Sequence, residues 1–64
     1  MKINRDKLDL AKARACMWAE DIYKAGFPKG SYLNCLKPNA NVEQATADKL
    51  ARILGVDVTE IIDM

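Results

Sequence analysis

Histidine is absent from this chain, and with it the side chain that most often serves as a general base or zinc ligand near neutral pH. Only two cysteines occur, Cys16 and Cys35, and they are too far apart to form a CxxC pair. Both read as reduced, small apolar residues in or near a core, in preference to a disulfide. With three glycines in all there is no Gly-rich loop to cradle a phosphate, and no Ser or Cys has an identifiable base. An enzyme is therefore the weakest functional class, and no cofactor is expected. Apolar runs are short, which excludes a membrane span. The opening MKINRDKLDL carries charge where a signal peptide would be apolar, so a cytoplasmic protein is expected.

Sixty-four residues make one domain, 1–64, and a chain of that size buries only about 60% of its unfolded surface. Half the residues are hydrophobic, but many are alanine and only four are aromatic, so the core must be thin and made of close helix contacts. The net charge of +1 conceals an asymmetry. Residues 1–37 hold eight Lys/Arg against four Asp/Glu (+4), and residues 38–64 hold two against five (−3). One face suited to phosphate and another suited to solvent or a partner would produce such a division.

The stretch WAEDIYKAGFPKGSYLNCL, from Trp18 to Leu36, organises the rest. Two helical segments flank Gly26, which suits a left-handed helix stop, and Pro28, which suits the first turn of the next helix. Ile22, Leu33 and Leu36 read as its apolar anchors. Around them the second segment carries Lys29, Ser31, Tyr32, Asn34 and Lys37, donors and acceptors suited to phosphates and base edges, though the same types also suit a solvated face.

Before this stretch, Asn4 can cap a helix beginning at Arg5. Leu8, Ala11 and Ala15 form its buried stripe, widened by Leu10, Ala13 and Met17, while Lys7, Lys12 and Arg14 lie elsewhere. The second helix spans about Trp18 to Ala25, with Glu20 and Asp21 at its positive end and Trp18 as a core or interface aromatic. After the third, Lys37, Pro38, Asn39, Ala40 and Asn41 form a loop. Asn41 and Gln44 match a capping box for a fourth helix, VEQATADKLARIL, with Val42, Ala45, Leu50, Ile53 and Leu54 apolar and Gly55 ending it. Asp57 and Glu60 repeat the pattern for a short fifth helix. Ile61, Ile62 and Met64 are left for two uses, plain core packing, favoured for at least one of them, and a candidate surface for a two-fold homodimer.

The order of these parts, with the turn AGFPKGS, the segment ending LNCL and the tail DKLARILGVDVTEII, resembles the phage-repressor-like, Cro-type helix-turn-helix family over nearly the whole chain. The resemblance implies an all-α, compact five-helix lambda-repressor-like domain that binds double-stranded DNA as a transcriptional regulator, a repressor in its simplest form. Pro28 to Leu36 becomes the recognition helix, with Lys29, Ser31, Tyr32 and Asn34 facing the major groove. Lys37, Asn39 and Asn41 then contact the backbone, and the start of helix two near Ala19 approaches a phosphate. The chain departs from the pattern at Tyr23, which is bulky where the family has a small residue. Aligning on Gly26 instead would place Leu33 and Leu36 one position late; the frame retaining Ile22, Leu33 and Leu36 is adopted. The alternative function is a protein-interaction module or antitoxin-like subunit with little DNA binding of its own.

Overall fold

A computed structural model describes residues 1–63. Four α-helices follow in order, α1 (Arg5–Ala15), α2 (Ala19–Lys24), α3 (Lys29–Cys35) and α4 (Gln44–Leu54), and then a single 3-10 turn, Val58–Glu60. The chain is all-α, and the anticipated fifth helix is that one turn. Met64 lies outside the described residues.

Local chemistry places most of the boundaries. The Asn4 side chain accepts from the Lys7 amide at 3.0 Å, which satisfies one of the amides left open at the start of α1. At the other end of α1 no glycine is available, and Cys16 itself turns left-handed (φ 54). The Met17 amide then donates back to the Lys12 carbonyl at 3.0 Å, so the helix stops earlier than the uninterrupted RDKLDLAKARACM suggests. Gly26 (φ 102) ends α2 and Gly55 (φ 72) ends α4, as their positions predict. Asp57 caps the last turn, accepting from the Thr59 amide at 2.9 Å. The fourth helix is not capped by Asn41, whose side-chain oxygen accepts from the Met1 nitrogen at 3.1 Å; Glu43 precedes that helix without a side-chain cap.

The core joins Leu8 and Ala11 of α1, Ile22 of α2, Tyr32 and Cys35 of α3, and Ala47, Leu50, Ala51 and Leu54 of α4. Four expectations about it are corrected. Leu33 is exposed, and the buried pair on α3 is Tyr32 and Cys35, one place earlier, the displacement that alignment on Gly26 implied. Leu10 and Ala13 face outward, so the α1 stripe is narrower. Ala45 is exposed and Ala47 and Ala51 take its place. Ile61 and Ile62 are buried at 0% and 7% exposure, so they belong to the core and are not a dimer surface.

An amino-terminal segment closes the base of the fold. Ile3 is buried, its amide donates to the Ala40 carbonyl at 2.9 Å, and the Asn4 amide donates to the Ile61 carbonyl at 2.9 Å. Isolated bridges pair Lys2 with Asn41 and Ile3 with Ile62. This segment therefore ties the loop after α3 to the end of the chain, and it fixes where that loop sits beside α3.

Candidate nucleic-acid interface

The helix α3 is positioned by the turn before it and by its inner side. Phe27, in the turn, is buried, and its amide donates to the Ile22 carbonyl. Pro28 sits directly before the helix with φ −61, the value its ring imposes, and its carbonyl accepts from the Tyr32 amide. Tyr32 and Cys35 then pack inward with half-buried Leu36, and the Cys35 thiol is pushed up from its ordinary pKa by burial, which keeps it neutral in the core. At the end of the helix, the Arg5 guanidinium donates to the Leu36 carbonyl at 3.0 Å and so ties α1 to the exit of α3.

Tyr32 does not face outward as anticipated. Tyr32 is 2% exposed, its hydroxyl accepts from the Lys12 ammonium at 2.6 Å, and Tyr23 meets it edge-on with 5.5 Å between ring centres. A phenol has the bulk to fill the space under the helix and a polar tip that Lys12 can satisfy. It is withdrawn from the contact set.

The other six expected residues lie on the surface. Lys29, Asn34 and Lys37 are exposed on the outer side of α3 and at its exit, with Gly30 and Leu33 among them. Ser31 is half-buried on one flank. An open depression of about 500 Å³ beside the helix gathers Ser31, Asn34, Lys37, Asn39 and Asn41. Asn39 holds a left-handed conformation (φ 57) that turns the loop back, and the Ala40 amide donates to the Lys37 carbonyl. Lys29 stands apart, at the opposite end of α3 from Lys37. Two lining residues were missed by sequence reasoning: Thr46, a further hydroxyl, and Glu43, whose carboxylate brings negative charge to the same depression. Nothing local singles them out, because they reach it from α4 and its approach.

Charge is distributed unevenly among the eight cations of residues 1–37. Five are engaged: Lys2 with Asp63, Arg5 with Asp9 and the Leu36 carbonyl, Lys7 with the Ile62 carbonyl, Lys12 with Tyr32, and Arg14 with Glu60. The remaining three, Lys24, Lys29 and Lys37, make no ion pair or side-chain hydrogen bond among the described residues. They lie at the end of α2, the start of α3 and the exit of α3. The start of α2 is less favourable to an anion: Glu20 and Asp21 are exposed there, and the Trp18 amide already donates to Asp21 at 2.9 Å. Trp18 itself is 80% exposed and so is not a core aromatic. Both cysteines are free, Cys35 buried and Cys16 exposed, which corrects the expectation that Cys16 also packs near the core.

Among the described residues no helix is long and apolar enough to cross a membrane. No protein-family model, no curated protein and no solved structure matches the chain.

Proposed function

We propose that this chain is a cytoplasmic transcriptional regulator of the phage-repressor-like helix-turn-helix type, which binds duplex DNA by laying the outer side of α3 in the major groove. Repression by occlusion is its simplest mechanism. The observation that carries the reading is the coincidence of two sets on α3 and its exit: two of the three unengaged cations of the basic half, Lys29 and Lys37, and the amide and hydroxyl groups of Asn34, Asn39 and Ser31, joined by the amide nitrogen of Asn41, whose oxygen is taken by Met1. Lysines supply affinity without sequence information, and amides can pair with base edges, Asn with adenine above all. Glu43 in the depression would then keep phosphate from settling there nonspecifically and favour a donor such as the cytosine amino group. A symmetric pair of chains on a pseudo-palindromic site would need a contact surface other than Ile61 and Ile62.

Selection from a random duplex library, followed by titration of the recovered duplexes at several salt concentrations, tests the reading. Binding that weakens with salt and prefers the selected site supports it, and Asn34→Ala should then blunt discrimination among sites. No salt-dependent binding to any duplex would refute it.

A second reading, a protein-interaction module that keeps the helix-turn-helix shape without binding DNA tightly, draws on Trp18 at 80% exposure beside the acidic residues Glu20 and Asp21. Crosslinking to a defined protein partner at Trp18, with no footprint on DNA, separates it from the first.

A further inference from the structure

An apolar side chain sits in the middle of the outer surface of α3, where neither solvation nor phosphate contact calls for one. Leu33 is 48% exposed, while its neighbour Tyr32 is 2% exposed. Lys29 stands one helical turn before it on the same side, and Lys37 follows just past the end of the helix, both exposed and unengaged. Three residues before Leu33 stands Gly30. That glycine has no positive φ, and a Cβ built on it would meet nothing within 4 Å. The fold therefore neither needs its conformational freedom nor lacks room for a side chain, although glycine weakens a helix relative to alanine. Its consequence is a level surface just N-terminal to Leu33. A helical leucine leans toward the helix N-terminus, so the Leu33 methyls stand beside that level turn, open to a close-fitting partner.

The partner must offer negative charge at the start and at the exit of α3 and an apolar group between them. A second copy of the chain brings Lys29 and Lys37 against the same lysines and offers no such match. The DNA major groove does: phosphates flank it, and its floor presents one apolar group, the C5-methyl of thymine. We infer that Leu33 reads a thymine by packing on that methyl, with the adjacent Asn34 pairing with an adenine, so that α3 selects an A·T-containing core in each site. This inference rests on the DNA-binding reading above and adds to it the base that is recognised.

The test replaces thymines of a library-selected duplex by deoxyuridine, one at a time, which removes the methyl and leaves base pairing intact. The wild-type chain should lose about fourfold in affinity at one thymine of the site, the size of burying one methyl group. Leu33→Ala should bind the thymine and uracil duplexes equally, and because Leu33 lies outside the core its thermal unfolding should match the wild type. Salt-sensitive binding to the selected duplex with no uracil effect at any position would overturn the inference and leave the DNA reading intact. Failure to bind any duplex would overturn both. A change in sedimentation mass on Leu33→Ala, with thymine and uracil bound alike, would assign the surface to self-association and overturn the inference.

Discussion

The Lys12 ammonium donates to the Tyr32 hydroxyl at 2.6 Å and lies 5.3 Å from the centre of the same ring, joining the middle of α1 to the inner side of α3 across 20 residues of sequence. The pair settles which side of α3 is inside. A buried phenol without a partner would cost about 1–3 kcal/mol, and Lys12, itself mostly buried, provides that partner from a neighbouring helix. Leu33 needs no partner and can be left at the surface.

Tyr32→Phe should therefore act on stability and not on recognition. Losing the hydroxyl removes the acceptor but keeps the packed ring, and Asp9, 3.8 Å from the same ammonium, compensates in part. The expected cost is about 1 kcal/mol, read from urea unfolding, with duplex affinity unchanged when both chains are folded. A large loss of affinity without a loss of stability would return Tyr32 to the contact set.

Lysines that touch phosphate should be distinguishable from lysines that hold the fold. Lys29→Ala and Lys37→Ala should each weaken binding across all duplexes and lower the slope of log affinity against log salt by about 1. Lys7→Ala, whose ammonium already donates to the Ile62 carbonyl, should leave that slope alone. Equal slopes in all three variants would mean that phosphate is met elsewhere.

Gly30→Ala should separate folding from binding. Open space around the position and an ordinary helical φ predict a gain of about 0.5–1 kcal/mol in stability from helix propensity. The added methyl stands on the surface proposed to approach DNA, so affinity for a selected duplex should fall. Thermal unfolding and duplex titration of the same variant read both effects, and a variant that gains stability and keeps full affinity would show that close approach at Gly30 is not needed.

Acid should loosen the last turn first. The Thr59 amide and hydroxyl both donate to the Asp57 carboxylate and hold its pKa below the usual Asp value. A carboxyl with a lower pKa folded than unfolded contributes stability that is complete above the unfolded value, about 3.9, and is lost as pH falls through the folded one. The stability of the wild type should thus decline below about pH 4 more steeply than that of Asp57→Asn, which keeps a cap oxygen but does not titrate there. Unfolding midpoints of the two chains across that range make the comparison, and parallel curves would count against it.

Much of the architecture was legible because it is chemistry between near neighbours. Asn4 caps α1, Gly26 and Gly55 stop their helices, and Asp57 caps the last turn, each through groups within a few residues of itself. Several of the readings that failed depended on distant partners. Asn41 followed by Gln44 has the spacing of a capping box, but the Asn41 oxygen is occupied by the Met1 nitrogen 40 residues away. Ile61 and Ile62 look unprotected in a linear chain, but both join the common core, and the segment around Ile3 pairs with Ile62.

For the candidate interface the division is the same. The sequence by itself determined that two short helices meet at Gly26 and Pro28, and that the second carries Lys29, Ser31, Asn34 and Lys37, since residue type, spacing and backbone restriction are local properties. Tertiary structure alone decided the rotation of that helix, with Tyr32 inward and Leu33 outward, because the choice between a tyrosine and a leucine for the core depends on whether the hydroxyl finds a donor. That donor, Lys12, comes from another helix, and no pattern within α3 could announce it.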